Sequence, residues 1–287
     1  MNYKDYKIQK IKLGDKNYPK NLSLIKNPPK FLFSRENPNK NIFKKSIAIV
    51  GSRSITRYGK DIIDRFVSFF ASQKITTISG FMYGVDSEVH KKTIEYGGLT
   101  SAVFGCGLDV IYPPENEKLY SDILNSGGMI FSEYQNNAKP HLWKFPQRNR
   151  IVSGLSSFGV LVIEAALKSG SLLTVKIAKE QGKKVYAIPG PINSTVSEGT
   201  NFLIKEGLAQ MVTDPSEILG KLLKENITTK LDLTKEEKLI YDELSKEELS
   251  LDELSAKLQK SIIELSTTLS LMSIKGLVRE SGGKFYI

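Results

Sequence analysis

The chain has 287 residues, of which 40% are hydrophobic and 25% are charged. This composition predicts one large folded domain with one or two small ones and excludes a disordered polymer. Residues 1–7 lack an apolar segment, so we expect no secretory signal, and the most apolar run, 158–167, is too short to span a membrane. One cysteine and two histidines exclude an intrachain disulfide and a histidine-rich metal site. We therefore expect a reduced, cytoplasmic protein without a metal or cofactor.

The net charge of +10 is distributed unevenly along the chain. Residues 1–45 hold 12 basic and three acidic residues, whereas residues 230–287 hold nine basic and 11 acidic ones. The first segment therefore carries +9, the last carries −2, and the middle, 46–229, carries +3. An excess of positive charge favours a polyanionic partner, although lysine-rich chains are also common where coding is AT-biased.

Short apolar runs alternate with segments of helical spacing from residue 46 onward. Residues 1–45, punctuated by Pro19, Pro28 and Pro29, predict a small N-terminal module. The runs typical of buried strands are 47–50, 75–79, 99–104, 128–132, 158–163, 184–188 and 210–212. The segments with helical spacing are 58–73, 86–96, 171–181 and 215–224. This alternation predicts an α/β fold, namely an extended Rossmann-like, doubly wound and mostly parallel sheet.

The C-terminal part of the chain predicts a winged helix. Residues 225–233 are typical of a linker, and Gly276 fits the C-cap of the last predicted helix. The predicted helices are 235–245, 251–258 and 262–275, and they precede a short strand pair that ends at residue 287. The predicted division is therefore a module at 1–45, a Rossmann-like domain at 46–224, a linker at 225–233 and a winged-helix domain at 234–287.

Doubly wound sheets bind their ligands at the carboxyl ends of the strands, so the residues that follow each strand carry the functional prediction. Gly51, Ser52 and Arg53 follow the first strand of the domain. Glycine permits a sharp turn, the hydroxyl can hydrogen-bond an anion, and the guanidinium group fits a phosphate. The alternative is an ordinary βα turn.

Two residues near the second strand have structural interpretations. Asp86, just after Gly84, is expected to be the N-cap of the following helix. His90 lies one turn further along that helix, and we expect it to be a packing residue whose polar atoms have partners.

The segment 145–150 combines two arginines, an asparagine and an aromatic ring, with Trp143 just upstream. Single-stranded nucleic acids are bound by such combinations, because cations hold the backbone while rings stack on bases. In the alternative interpretation Phe145 packs in the core and one arginine pairs with an acid such as Glu133. The candidate contacts in this region are Lys144, Phe145, Arg148 and Asn149.

Lys168, Ser169, Gly170 and Ser171 follow the fifth strand and lead into a helix through Thr174. A strand, a small-residue loop with a lysine and a helix N-terminus together form a cradle for an anion. The chain contains no G-x-x-x-x-G-K-[ST] motif, so ATP hydrolysis is not predicted. The alternative is a purely structural turn with Ser171 as the helix cap.

No group of residues predicts a reaction centre. The chain has no G-x-S-x-G nucleophile elbow, Cys106 has no evident base, and Glu164 has no paired carboxylate at a fixed spacing. The G-C-G sequence at 105–107 lacks the third glycine of a dinucleotide-binding motif and follows the third strand rather than the first. Anion-binding chemistry recurs at three strand ends, and no catalytic residue is predicted.

The ordered set of these motifs resembles the DprA/Smf family, the DNA-processing protein A family of bacterial transformation. The resemblance covers nearly all of residues 46–213, and each motif is weak singly whereas the ordered set is specific. The N-terminal module and the winged helix also resemble parts of that family. The matching motifs are 49–53, 79–80, 84–86 with His90, 105–109, 112–113 with Asn116, 145–156, 164–165, 168–171 with Thr174, 189–190, 199–201 and 203–204.

The resemblance implies a homodimer that binds single-stranded DNA without hydrolysing it and loads the recombinase RecA onto incoming strands. By motif, Arg53 would clamp a phosphate, Lys168 would line the same pocket, and Arg148 with Phe145 would flank it. The predicted function is a recombination mediator that protects incoming DNA during natural transformation. The DNA-binding residues so implied are Gly51, Ser52, Arg53, Ser79, Gly80, Lys144, Phe145, Arg148, Asn149, Lys168, Ser169, Gly170, Ser171 and Thr174.

Two functions of other classes are alternatives. One is a nucleotide-ribose hydrolase resembling the lysine-decarboxylase-like proteins, whose P-G-G-x-G-T loop is absent here, with 168–171 in a comparable place. The other is a transcription regulator driven by the C-terminal domain. That domain is acidic, and its predicted helix 262–275 offers only Lys275 as a base, which argues against a reader of duplex DNA. We therefore predict that the winged helix contacts protein or the Rossmann-like domain.

Overall fold

The computed structural model describes residues 3–36, 42–219, 233–274 and 277–286. The chain divides into two compact units, residues 1–220 and 221–287. Across the described residues, no helix combines the length and apolar character needed to cross a membrane.

In the first unit, nine strands among the described residues form one mixed sheet. The central strands form because their sequences are continuous apolar runs, and β3 is buried at all five of its positions. The strands of this sheet are β1 Ile8–Lys12, β2 Phe31–Glu36, β3 Ser46–Val50, β4 Thr76–Ser79, β5 Thr100–Val103, β6 Met129–Ser132, β7 Val160–Val162, β8 Val185–Ala187 and β9 Gln210–Met211.

The strand order, β1-β2-β6-β5-β4-β3-β7-β8-β9, reverses direction at β3. From β3 the chain first builds outward through β4, β5 and β6, and then returns to add β7, β8 and β9 on the other side. All pairs from β6 to β9 are parallel. The doubly wound, mostly parallel sheet predicted from the sequence is therefore confirmed. A crevice for ligands is expected at the carboxyl ends of β3 and β7, because the connections that leave these two neighbouring strands run toward opposite edges of the sheet.

Helices cover the two faces of the sheet and bury the apolar side of each helix. In α2 the buried side chains Ile63, Phe66, Val67 and Phe70 recur at helical spacing, and the Thr56 hydroxyl caps the first turn. The helices of this unit are α1 Lys20–Ser23, α2 Arg57–Ser72, α3 Val85–Glu95, α4 Glu117–Asn125, α5 Lys144–Leu155, α6 Gly170–Glu180, α7 Glu198–Lys205 and α8 Ser216–Leu219, with 3₁₀ turns at Tyr3–Asp5 and Pro114–Asn116.

The N-terminal segment, predicted as a small module, is joined to the main sheet. Its two strands, β1 and β2, are antiparallel to each other, and β2 also pairs with β6, so they extend the main sheet. Its buried side chains Ile11, Leu22 and Leu32 belong to the same core as β3 and β7. Residues 3–36 and 42–219 are therefore parts of one compact unit.

The second unit is a small helical domain with a three-stranded sheet. Two of its helices begin with capping boxes, formed by Thr234 with Glu237 and by Ser250 with Glu253. Its apolar core is separate from that of the first unit and includes Leu254 and Met272. Its elements are α9 Lys235–Leu244, β10 Leu249–Ser250, α10 Leu251–Leu258, α11 Ile262–Ile274, β11 Arg279–Ser281 and β12 Lys284–Tyr286, with sheet order β10-β12-β11.

The predicted element boundaries are close to the observed ones. All seven predicted strands of the first unit, and the helices predicted at 58–73, 86–96 and 171–181, lie within two residues of those observed. The described part of the helix predicted at 215–224 contains α8. The predicted linker 225–233, except residue 233, and the predicted cap Gly276 lie outside the described residues.

Candidate nucleic-acid interface

A cleft of about 540 Å³ opens at the carboxyl ends of β3, β4 and β7, where the strand order reverses. Twelve of the 14 predicted DNA-binding residues contribute to its lining. They are Gly51, Ser52, Arg53, Gly80, Phe145, Arg148, Asn149, Lys168, Ser169, Gly170, Ser171 and Thr174, and the other lining residues are Val50, Met82, Tyr83, Asp86, Leu142, Pro146, Val152, Ala166 and Leu173.

The loop after β3 presents Arg53 to the cleft. The Ser52 hydroxyl accepts from the Ser54 amide at 3.1 Å and donates to the Ser54 carbonyl at 3.0 Å, so it closes the turn. A Cβ on Gly51 would lie 2.6 Å from Val85 Cγ2, which explains why this position has no side chain. Arg53 is exposed, and no carboxylate among the described residues lies within salt-bridge distance of it.

The turn before α3 holds that loop in place. The Val85 amide donates to the Ser52 carbonyl at 3.0 Å. Gly84 has a φ of +73° and its missing Cβ would lie 2.3 Å from the same carbonyl oxygen. A larger residue at position 84 would therefore displace the Arg53 loop.

The floor of the cleft contains two charged side chains, the partly buried Asp86 and the buried Arg148. A Cβ on Gly80 would lie 2.0 Å from Asp86 Oδ2 and 2.7 Å from an Arg148 guanidinium nitrogen, so glycine is what lets both groups reach this point. Burial raises the pKa of Asp86 above its usual value, and the Arg148 charge opposes that shift. Burial also lowers the pKa of Arg148, with Asp86 acting in the opposite direction.

Arg148 is 4% exposed and donates to the Val103 carbonyl at the end of β5. The resemblance implied that Arg148 flanks the phosphate pocket; its guanidinium group is fixed beneath the cleft, so we expect it to act through its electric field and not as a mobile arm. The exposed cations of the cleft are Arg53 and Lys168.

The loop after β7 brings Lys168 and the N-terminus of α6 to the opposite wall. Ser169 is the N-cap, with its side chain accepting from the Ser171 amide at 3.3 Å. In the alternative interpretation from the sequence the cap was Ser171; the structure has Ser169 in that position. A Cβ on Gly170 would meet nothing within 4 Å, so the first turn of α6 faces open space with its positive dipole end.

The third wall is apolar and comes from α5. Phe145 lies against Gly105, where a Cβ would be 2.8 Å from the ring, and its centroid is 5.6 Å from that of Tyr112. The half-buried Asn149 lies one turn further along α5. The walls that carry Arg53 and Lys168 and the wall that carries Phe145 therefore border the same cavity.

Two predicted contacts are placed outside the cleft. The Ser79 side chain is buried and donates to the Ile49 carbonyl at 2.7 Å, so it links β3 to β4. Lys144 is 7% exposed, and its Nζ donates to the Lys139 carbonyl at 2.6 Å while lying 4.7 Å from the Tyr134 ring centroid. Neither side chain lines the cleft, and their contacts with DNA stay predictions.

Asp86 and Arg150 have partners that define their structural roles. Asp86 is not an N-cap: it lies within α3 and accepts from the Ser79 hydroxyl and from the amides of Phe81 and Met82. The pairing of one arginine with Glu133, which belonged to the alternative interpretation of 145–150, is found for Arg150.

His90 is buried as expected, but it is only partly satisfied. Its Nδ1 lies 2.6 Å from the Thr100 hydroxyl, and its Nε2 has no partner among the described residues.

Sequence reasoning missed several lining residues, among them Tyr83, Leu142 and Leu173. Each lies within three residues of a predicted contact in the sequence, and each is at least 39% exposed. The signal in the sequence that could have identified them is an apolar side chain close to a predicted contact, because a nucleobase needs an apolar surface as well as a charged one.

Side chains that could serve as nucleophile or base are engaged elsewhere. Burial raises the pKa of the Cys106 thiol to about 11, which keeps it protonated at neutral pH. Glu164 is 1% exposed and accepts from the Thr56 amide at 3.0 Å and from its hydroxyl, so it holds the start of α2. Among the described residues, no group of three or more histidine, cysteine or acidic side chains is arranged to hold a metal ion.

Comparison with known families identifies the chain. The model of the DNA recombination-mediator protein A family matches residues 9–223, and that of the DprA winged helix domain matches residues 228–284. The chain belongs to the DNA recombination-mediator protein A family. The predicted resemblance to DprA/Smf proteins and the predicted C-terminal winged helix are both confirmed.

Curated relatives share a third to nearly half of the aligned residues. The protein Smf of Escherichia coli is 45% identical over 176 residues, which are 61% of this chain but 46% of the relative. The DNA processing protein DprA of Streptococcus pneumoniae is 37% identical over 215 residues, 75% of this chain and 74% of the relative. The chain thus spans under half of the E. coli protein and about three quarters of the pneumococcal one.

Two solved structures of the family are similar to this chain. DprA from S. pneumoniae has a TM-score of 0.69 at 37% identity, covering 75% of this chain and 74% of the other. DNA processing protein A from Helicobacter pylori has a TM-score of 0.68 at 30% identity, covering 78% and 99%. The latter structure is described as giving insight into a unique single-stranded DNA binding mode of the H. pylori protein.

Proposed function

We propose that this family member is a recombination mediator that binds single-stranded DNA in the cleft between β3 and β7. One observation carries the proposal: Arg53 and Lys168 are exposed on the two sides of the cleft, and the N-terminus of α6 opens into it. No carboxylate among the described residues lies within salt-bridge distance of either cation, although Asp86 in the cleft floor interacts with Arg53 at longer range. A phosphate in this cleft would meet two positive side chains and a helix dipole at once.

The apolar wall favours a single strand over a duplex. The Phe145 ring lines the same cleft as the cations, so a base attached to the bound phosphate can reach an aromatic surface. In a duplex the bases are already paired and stacked on one another, and such a contact would require unstacking. The single-stranded DNA binding described for the H. pylori relative supports this assignment.

We also propose that the cleft binds without breaking bonds. Asp86, the carboxylate of the lining, already accepts from a hydroxyl and two amides, and Glu164 is occupied by the start of α2. A hydrolase of nucleotide riboses would need a carboxylate free to assist the attack on the ribose carbon. Release of free base from AMP, followed by chromatography, tests this directly, and any turnover above buffer would favour the hydrolase.

The direct test of the cleft is fluorescence anisotropy with a labelled single-stranded oligonucleotide. Arg53→Gln should weaken binding, whereas Arg65→Gln should not, because Arg65 is also exposed but pairs with Asp214 on another surface. Removal of a charge-assisted phosphate contact of about 1.5–3 kcal/mol predicts a roughly 10- to 150-fold loss of affinity. Equal affinity of both variants and the wild type would refute the assignment of Arg53.

The biological role follows as part of the same proposal. We propose that the protein acts as a cytoplasmic homodimer, protects incoming DNA, and loads RecA onto it during natural transformation. Loading is measured as RecA ATPase activity on single strands already covered by a single-strand-binding protein. The wild type should shorten the lag before ATP hydrolysis and Arg53→Gln should not, while the mass of the free protein in light scattering tests the dimer.

We propose that the two parts of the chain have different roles. Residues 46–224 bind DNA, and the winged helix at 234–287 does not. Among the described residues, α11 contains no lysine or arginine, and it exposes Ile263 (81%) and Leu271 (51%). Duplex readers place cations on such a helix, so we propose that this unit contacts protein. Protection of a duplex in footprinting by residues 234–287 would instead favour a transcription regulator.

A further inference from the structure

Aromatic rings continue along the rim of the sheet beyond the cleft, toward β6. Phe145 lies over Gly105 at the end of β5, next to Tyr112, which is 38% exposed. Tyr134 follows the end of β6, and its hydroxyl donates to Gln147 Oε1 on α5 at 3.0 Å. The carboxyl ends of β5 and β6 therefore carry rings, just as those of β3 and β7 carry cations.

Trp143 is the most exposed ring of this series. Its side chain is 60% exposed, although two aromatic neighbours fix it. The Tyr134 ring meets it edge-on, with centroids 6.1 Å apart and planes at 84°, and the His141 ring is stacked on it at 6.3 Å and 15°. A large ring that is both rigid and solvent-exposed provides a stacking surface at little entropic cost.

The electrostatics of this surface suit a polyanion. Lys144 Nζ lies 5.6 Å from the Trp143 ring centroid and 4.7 Å from that of Tyr134. Glu133, the acid adjacent to Tyr134, is paired with Arg150, so its charge is compensated. A phosphate passing the ring of Trp143 would therefore meet a net positive field.

The surface formed by Trp143 and Tyr134 adjoins the cleft. Leu142, which is 88% exposed, lines the cleft and directly precedes Trp143, and Phe145 lines the cleft two residues later. The ends of β4 and β6 are two strand spacings apart, about 10 Å. This step is short enough for successive nucleotides of one strand to bridge it.

We infer that a single strand leaving the cleft runs along the carboxyl rim from β4 toward β6, and that Trp143 stacks on a base outside the cleft. This inference rests on the proposed function. In the other direction, past β7 toward β8, the exposed ring of Phe202 on α7 has no aromatic neighbour among the described residues to orient it, and its helix carries Glu198 in the first turn and Lys205 in the last. Among the described residues, no lysine or arginine lies over the Phe202 ring.

The single tryptophan of the chain makes the inference directly measurable. Intrinsic fluorescence is followed during titration with oligo-dT of about 4 and of about 16 nucleotides, the range of common single-strand sites. The short oligonucleotide should fill the cleft and leave the emission of Trp143 nearly unchanged. The long one should quench it, because a base stacks on the indole ring.

Variants separate stacking from charge and from folding. Trp143→Ala should bind the long oligonucleotide roughly 5- to 150-fold more weakly, the usual effect of losing one stacked base, with little change for the short one. Trp143→Phe should restore most of the affinity, and Phe202→Ala should bind both lengths like the wild type. Because no charge is removed, the salt dependence of Trp143→Ala should match that of the wild type.

Two results would overturn the inference: unchanged emission when the long oligonucleotide is bound, or wild-type affinity of Trp143→Ala for it. Failure of the proposed function has a different signature, since Arg53→Gln would then bind both lengths as the wild type does. Wild-type affinity of Phe202→Ala for the long oligonucleotide, with weaker binding by Trp143→Ala, both measured by anisotropy of the labelled oligonucleotide, would assign the direction of the strand.

Discussion

Protonation of one buried histidine should make the stability of the first unit depend on pH. His90 is fully buried, its Nδ1 is bonded to the Thr100 hydroxyl, and the Arg148 charge acts on it from the cleft floor. Burial, with a smaller effect of Arg148, lowers the pKa of His90 to about 3. A histidine in the unfolded chain has a pKa of about 6.5.

The direction in which stability changes with pH depends on whether the folded or the unfolded chain binds the proton. Between pH 6.5 and 3 the unfolded chain takes up a proton at this position while the folded chain does not, so stability falls as the pH falls. From about pH 7.5 to about pH 5 this single group should lower the free energy of unfolding by about 2 kcal/mol. The pKa of Asp86 is raised instead, so its own effect has the opposite sign and remains in a histidine variant.

The assay is urea unfolding at the two pH values, followed by the emission of Trp143, which lies in the first unit. The loss of stability between the two pH values should be about 2 kcal/mol smaller in His90→Gln than in the wild type. His141→Gln is the matched control, because His141 is the other histidine and is exposed. The reasoning is wrong if His90→Gln and the wild type lose the same stability on acidification.

Three further substitutions have expected outcomes. Gly80→Ala should lower stability by about 1–3 kcal/mol in urea unfolding and weaken DNA binding, because its Cβ would meet Asp86 and Arg148 at the cleft floor; unchanged behaviour would contradict the close approach. Ser169→Ala should cost about 0.5–2 kcal/mol of stability through loss of the cap of α6, whereas Ser169→Gly should cost only a few tenths. Gly170→Ala should raise stability by about 0.4–1 kcal/mol, since it lies in α6 and its Cβ meets open space, but should weaken oligonucleotide binding in anisotropy if a phosphate approaches this backbone.

The sequence predicts the central sheet well because parallel strands are buried on both faces. A run such as that of β3 is apolar throughout, and its end marks the site-forming loop. Strands β1 and β2 were missed, since β1 has two lysines among its five residues and both strands lie in a segment punctuated by prolines. Helix α5 was also missed. Its amphipathic pattern is weak, and the residues 145–150 in its N-terminal half were interpreted as a nucleic-acid-binding segment without an assigned secondary structure.

The cleft could be assembled from the sequence, but the roles of its cations could not. Arg148 and Arg150 stand two residues apart on α5, so they project to different sides of the helix. One is buried under the cleft near Asp86, and the other pairs with Glu133. Nothing in the sequence alone distinguishes them, because the choice depends on how α5 packs on β4 and β5.

The most direct test of phosphate binding by the cleft is the salt dependence of single-strand affinity. Each neutralised phosphate contributes about −0.7 to the slope of log K against log salt concentration. The double variant Arg53→Gln/Lys168→Gln should therefore have a slope smaller in magnitude by about 1.4 than that of the wild type. Arg65→Gln/Lys118→Gln removes two exposed cations that are paired with Asp214 and Asp122, and it should retain the wild-type slope. Equal slopes for the two double variants would contradict the account.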